Sequence, residues 1–277
     1  MPTLSPSGNE PHRHREMAES FGTDAARYDR ARPRYPEALV RRIVAAAPGP
    51  GPGPELLDVG CGTGIAARQF QAAGCRVLGV EPDERMAEVA RQFGVDVDVE
   101  RFEARDPGGR RFDAVVAGQA WHWIHPVAGA AAAARVLRPG GLLAVFWNVF
   151  QLPPEVGEAL SAVYRRVMPE VPGDLWAKPA LDVYAEMFTK ASDGIRQAGT
   201  FSGPEQWRYD WEHSYTREEW LDQLPTHGAN SRLTPAELEE LLAGAGAAVD
   251  ELGGSITVRY TTVAVTATRT AAPTVLA

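Results

Sequence analysis

The segment Glu55-Leu56-Leu57-Asp58-Val59-Gly60-Cys61-Gly62-Thr63-Gly64 constrains the fold of this 277-residue chain more than any other. Five residues of strand character run into three glycines at alternate positions, and Ile65 to Ala73 then place apolar side chains at helical spacing. Glycine tolerates positive φ and lets a ligand lie against bare backbone at a helix start, where N–H groups converge. A dinucleotide pattern G-x-G-x-x-G would need glycine at position 65, which is Ile65, so a pyrophosphate fits poorly. Glu81 closes the next strand-like run, Val77-Leu78-Gly79-Val80-Glu81-Pro82, where a carboxylate can accept from both hydroxyls of a ribose. Loop and acid together point to a nucleoside without a bridging pyrophosphate.

The alternation continues beyond the loop. Arg76 to Val80 reads as a strand, Glu84 to Phe93 as a helix, and Val95 to Val99 and Phe112 to Ala117 as strands. An alanine-rich helix over Val127 to Leu137 precedes a strong strand at Leu142 to Trp147. Strands alternating with helices imply a parallel sheet covered on both faces, a doubly wound α/β core. Upstream, two helices flank the elbow Arg32-Pro33-Arg34-Tyr35-Pro36, and the Gly/Pro run from Pro48 to Pro54 hands over to the core. After Asn148 the pattern turns to longer helical segments carrying Trp176, Trp207, Trp211 and Trp220. Helix starts are expected at Thr216 and Thr234, and two terminal strands at Ser255 to Tyr260 and Thr261 to Thr268.

Composition limits the partners. Lys and Arg number 28 against 36 Asp and Glu, a formal charge of −8, which argues against nucleic acid and anionic membranes and favours a small-molecule partner. Cys61 and Cys75 are too few for a disulfide framework and lack metal-ligand spacing, so no metal site is expected and both read as buried thiols of a reducing compartment. With no apolar run of membrane-spanning length and no signal core, a cytoplasmic location is expected.

Four ordered segments resemble the class I S-adenosylmethionine-dependent methyltransferases: Leu56 to Gly64, Val77 to Glu81, Arg111 to Val116, and Leu137-Arg138-Pro139-Gly140-Gly141-Leu142-Leu143. Phe21-Gly22…Tyr28-Asp29…Arg32-Pro33…Tyr35-Pro36 and Gly118-Gln119-Ala120-Trp121-His122-Trp123 resemble the bacterial small-molecule branch that includes trans-aconitate-methyltransferase-like proteins. The resemblance implies a Rossmann-like seven-strand sheet with an antiparallel last strand and a helical cap. Residues 1–16 would be a mobile tail, 17–53 part of the cap, 54–148 and 249–268 the cofactor-binding core, 149–248 the rest of the cap, and 269–277 a tail.

It also implies S-adenosylmethionine as cofactor and S-adenosylhomocysteine as product. Gly60, Gly62 and Gly64 would lie against the methionine and ribose part, with Asp58 supporting the loop and Glu81, beside Pro82, holding the ribose. Phe102 and Glu103 would meet adenine, and Gln119, Ala120 and Trp121 stand at the strand ends where open α/β sheets bind ligands. Tyr28 or Arg32 would bind the cofactor carboxylate. His122 is the candidate general base, or else it only bonds backbone or cofactor. Tyr35, Trp123, Asn148, Trp176 and Trp211 are the candidate substrate residues, and such an aromatic lining suits a hydrophobic or aromatic acceptor. A small carboxylic acid forming a methyl ester is the alternative. Readings of another class are a non-catalytic S-adenosylmethionine-binding protein and a nicotinamide-dependent oxidoreductase.

Overall fold

A computed structural model of the chain describes residues 20–47, 49, 51–106, 108–169, 178–230 and 233–270. The expected N-terminal tail, most of the C-terminal tail and Trp176 lie outside the described residues.

The glycine-loop segment folds as expected: β1 (Glu55–Val59) leads through the loop into α3 (Ile65–Ala72), and β2 (Arg76–Val80) leads into α4 (Glu84–Gln92). Before them, α1 (Ala25–Ala31) and α2 (Glu37–Ala46) flank the proline elbow. Then come β3 (Asp96–Asp98), β4 (Phe112–Gly118), α5 (Pro126–Val136) and β5 (Leu137–Gln151). The sheet order is β3-β2-β1-β4-β5-β7-β6, and the first five strands pair in parallel. The inner strands are buried on both faces, with Ala114 to Ala117 of β4 fully buried, whereas the edge strand β3 buries only Val97. Arg138 ties the lower edge together, donating to Asp113 Oδ1 and Glu55 Oε2 at 2.6 Å each, while Asp113 Oδ2 accepts from the Glu55 N–H at 2.8 Å.

Beyond β5 the chain forms α6 (Pro154–Val167), α7 (Ala180–Ala198), β6 (Glu205–Thr216), α8 (Arg217–Gln223), α9 (Pro235–Glu251) and β7 (Ser255–Thr268). The two last strands are antiparallel, as the pairs Asp210 with Thr261 and Ser214 with Thr257 show by running in opposite directions. Both expected helix starts carry complete capping boxes, at Thr216 with Glu219 and at Thr234 with Glu237.

Two expectations are corrected. Trp207 and Trp211 stand on a strand, not a helix: Trp207, Tyr209, Trp211, His213 and Tyr215 recur every second residue, the period of a pleated strand. The two expected terminal strands are one, β7, because no turn-forming residue separates Tyr260 from Thr261. The sheet still has seven strands, with β6 in place of the second terminal strand. At the C-terminus, Arg269 bridges to Phe201 and exchanges hydrogen bonds with Gly140 and Gly141, so the sheet extends past the expected boundary.

The chain divides into two compact units. One, the glycine-loop unit, comprises Arg34–Trp147, Met187–Tyr209 and Thr262 onward; Leu39, Ile43, Leu56, Phe70, Val116, Phe146 and Trp207 are among its core residues. The other, the helical unit, comprises residues up to Pro33, Asn148–Glu186 and Asp210–Thr261; α6 and α9 pack together in it over a core that includes Leu160, Tyr164, Trp220, Leu241 and Val258.

Candidate active site

The strand order reverses at β1, which has β2 on one side and β4 on the other. Chain segments leaving the carboxyl ends of β1 and β4 therefore diverge, and a crevice opens between them. The loop after β1 forms one wall. Gly60, Gly62 and Gly64 hold φ of +64°, +55° and +83°, where a side chain is strained. Gly60 is also pinned by contact, since a Cβ there would lie 2.6 Å from the Ala120 Cβ. The Gly60 and Cys61 N–H groups donate to the Val80 carbonyl at 2.8 and 3.2 Å, fastening the loop to β2.

Two acids form the floor. Glu81 is 8% exposed; its Oε2 accepts from the Gly62 N–H at 2.9 Å and its Oε1 from the Asp83 N–H at 3.0 Å. These bonds orient the carboxylate and leave further lone pairs on each oxygen for hydroxyl donors. Burial pushes its pKa up to about 7, partly offset by the two N–H donors. Asp58, 1% exposed, has no hydrogen bond of normal geometry to either oxygen. Burial first, and the neighbouring charge of Glu81 second, push its pKa up to about 8; the nearby Ala67 N–H only moderates the shift. Pro82 is exposed and leads into Asp83, the N-cap of α4.

The segment after β4 forms the opposite wall. Gln119 has φ of +55°, the sole non-glycine residue with positive φ among those described, and its N–H donates to Phe146 O at 2.8 Å. Strain of this kind is kept where the surroundings enforce it and is common at ligand sites. Ala120 touches the glycine loop, and Trp121, 2% exposed, keeps an indole N–H without a partner. Phe102, 3% exposed, lies 6.4 Å from the Trp121 ring, so the residue expected at adenine adjoins the crevice wall. Glu103 Oε1 accepts a long bond, 3.5 Å, from the His125 N–H beside α5. Tyr35 packs edge-on against Phe146 at 4.7 Å, and its backbone is clamped in both directions by the Gln69 amide, so it is fixed by packing in this unit.

His122 is where geometry departs most from expectation. Its Nδ1 accepts from the Trp147 indole N–H at 3.2 Å, which places the proton of the neutral ring on Nε2. Burial lowers its pKa to about 3. The Nδ1 lone pair is therefore occupied and the neutral ring carries its proton on Nε2. The Trp123 ring lies 4.7 Å from the His122 ring. Trp147, within β5, carried no signal in the sequence.

The remaining candidates belong to the helical unit. There Arg32 sits 4.9 Å from the Tyr28 ring and donates from Nη2 to the Thr226 carbonyl, while Asn148 is buried. Trp211 stacks on Tyr260 with centroids 4.3 Å apart, and both line a cavity of ≈ 480 Å³ with Val149, Gln151 and Leu181.

Residues 57–145, spanning the glycine loop, Glu81 and the β4 wall, match the family described as a methyltransferase domain. Over this span the chain carries a methyltransferase domain. An uncharacterized methyltransferase of Mycobacterium tuberculosis is 34% identical to it over 139 residues, 48% of this chain and 54% of the relative. A ubiquinone biosynthesis O-methyltransferase of Methylocella silvestris is 35% identical over 104 residues, 35% of this chain and 41% of the relative. The chain thus spans about half the length of the curated relatives it matches. A solved structure from Anaeromyxobacter dehalogenans, proposed to be a type II methyltransferase, has 27% identity and a TM-score of 0.59, covering 85% of this chain and 97% of that one. In this methyltransferase domain the matched span stops at Val145, so Trp147 and the whole helical unit lie outside it. No helix among the described residues is long and apolar enough to cross a membrane, and no group of His, Cys, Asp or Glu among them would hold a metal.

Proposed function

We propose that the protein is an enzyme that moves the methyl group of S-adenosylmethionine to a small-molecule acceptor, leaving S-adenosylhomocysteine. The observation that carries this reading is the acid floor beneath the glycine loop. Asp58 is sealed in with both oxygens unpartnered, and a buried carboxyl group in that state calls for a hydrogen-bonding partner. A ligand with a cationic amino acid end and a ribose would supply one, with its hydroxyls on Glu81 and its backbone-facing edge along Gly60 to Gly64.

When bound, the cofactor's sulfonium makes its methyl group electrophilic. The protein's share is then alignment and exclusion of water. Phe102 and Trp121 offer apolar surface to the base, Glu103 a carboxylate beside it, and Gln119 and Ala120 the backbone of the far wall. His122 donates from Nε2 to the reacting pair or its surroundings rather than removing a proton. A hydrophobic or aromatic acceptor is supported by Trp211 and Tyr260 lining the ≈ 480 Å³ cavity of the helical unit.

Calorimetry with S-adenosylhomocysteine tests the reading. Binding in the micromolar range is expected, weakened at least tenfold by Glu81→Ala, with no binding of NAD. Tight NAD binding without S-adenosylhomocysteine binding would overturn it. Methyl transfer from labelled cofactor to an acceptor panel separates an enzyme from a protein that only binds.

A further inference from the structure

Asp58 lies in β1 and Glu81 just past the end of β2, two strands that pair in parallel with Val59 opposite Val80, and both side chains are buried. No cation accompanies them. Among the described residues neither carboxyl pairs with an Arg, Lys or His. The charged groups on the surrounding elements are committed elsewhere: Arg68 of α3 donates to the Thr63 carbonyl at 2.8 Å, Arg85 of α4 pairs with Asp83 at 2.7 Å, and Arg91 of α4 with Glu84 at 2.7 Å. On the other side of β1, β4 brings only the apolar run Ala114 to Ala117. The remaining titratable neighbour is Cys61, a buried thiol that feels the charge of both acids and is pushed up by burial.

Two neighbouring carboxyl groups sealed from water without a counter-ion cannot both be charged. Their hydrogen bonds decide which one stays neutral. Glu81 accepts from the Gly62 N–H at 2.9 Å and the Asp83 N–H at 3.0 Å, which favours its anion, whereas both oxygens of Asp58 are unpartnered. Burial raises both pKa values above the ordinary carboxyl range, that of Asp58 the further. At neutral pH the ligand-free pair therefore shares one proton, seated on Asp58.

A ligand that brings a cation to Asp58 reverses this preference. An ammonium group donating to the carboxylate stabilises the charged form. The O–H bond of the Asp58 carboxyl then breaks, its electron pair stays on oxygen, and the proton leaves to the buffer.

We infer that the Asp58–Glu81 pair makes cofactor binding a proton-releasing step, so that the glycine-loop site fills less readily in acid. That the ligand is an S-adenosyl compound rests on the methyltransferase reading above; that the acid pair stores a proton does not. One proton released per ligand bound corresponds to about a tenfold gain in affinity per pH unit. The gain ends where the free site is already ionised, above about pH 8.

Full-length protein is titrated with S-adenosylhomocysteine at pH 7 in phosphate, HEPES and Tris, whose ionisation enthalpies differ widely. The slope of the observed binding enthalpy against buffer ionisation enthalpy counts the protons released. About one is expected for the parent, and close to none for Asp58→Asn. Between pH 5.5 and 7.5 the dissociation constant of the parent is expected to fall roughly tenfold per unit, and that of Asp58→Asn to change less than twofold overall. Infrared spectra of the parent supply a second measurement. The carbonyl stretch of a protonated carboxyl is expected at pH 7 without ligand and is expected to fade as S-adenosylhomocysteine is added.

Binding whose enthalpy is independent of buffer, or a proton count that survives Asp58→Asn, overturns the proposal. Absence of the protonated-carboxyl band from the ligand-free parent overturns it without reference to any ligand. If the band is present and no S-adenosylhomocysteine binds, the stored proton stands, and the methyltransferase reading falls and takes the release step with it.

Discussion

Replacing Asp58 by asparagine is expected to stabilise the ligand-free protein at pH 7 and to weaken its hold on S-adenosylhomocysteine. In the unfolded chain the carboxyl has its ordinary pKa of 3.8, whereas burial and the Glu81 charge raise it to about 8 in the fold. At pH 7 folding therefore requires the group to take up a proton. The penalty, about three pH units at about 1.4 kcal/mol each, is ~4 kcal/mol. Asparagine keeps the shape without that penalty but leaves its own amide unpartnered, which costs ~1–3 kcal/mol. The net gain is ~1–3 kcal/mol, a rise in melting temperature of roughly 2–10 °C for a chain of this size. The sign of the pH dependence follows. A folded pKa raised above the unfolded one makes the contribution of the aspartate most favourable below pH 3.8 and progressively worse as pH rises toward 8. The advantage of the variant should thus shrink to less than half by pH 5. Melting curves of parent and variant at pH 5, 6, 7 and 8 measure it. A variant less stable than the parent at every pH, or a difference that does not change with pH, would refute the buried, proton-binding aspartate.

Other substitutions probe the same crevice. Gly60→Val forces a branched side chain into φ of +64° and 2.6 Å from the Ala120 Cβ; a loss of ~2 kcal/mol or more and at least a tenfold drop in S-adenosylhomocysteine affinity are expected, read by melting and calorimetry. Gln119→Gly relieves a positive φ and should hold or raise stability, by up to ~1 kcal/mol, while Gln119→Val lowers it. With His122 held neutral by burial, the pH profile of kcat should show no ionisation from it between pH 5 and 8, and His122→Gln should leave that profile unchanged in shape. Trp147→Phe removes the N–H that fixes its tautomer but not the burial, so the profile should still show no ionisation from His122 between pH 5 and 8.

The order of strand, glycine loop, helix and acid between Glu55 and Glu81 was readable because each feature is local. Three glycines within five residues admit few backbone paths, and an apolar strand ending in a carboxylate puts that group at the sheet's edge. The elbow at Arg32 to Pro36 and the capping boxes at Thr216 and Thr234 were readable for the same reason. β6 was equally readable, since its aromatics alternate with period two; weighting tryptophan as helical core hid the pattern.

What the sequence determined by itself is therefore the α/β core and the backbone path of its glycine loop, because backbone conformation and burial period are set by neighbours along the chain. Only the tertiary structure decided what the polar groups do. Trp147 meets His122 from the neighbouring strand and occupies its Nδ1 lone pair. Asp58 loses its charge because the folded core removes water from it. Arg32 donates to the Thr226 carbonyl, nearly two hundred residues away, a contact that no spacing announces. Protonation state and hydrogen-bond partnership are properties of the surrounding dielectric and of distant donors, and those exist only once the chain has folded.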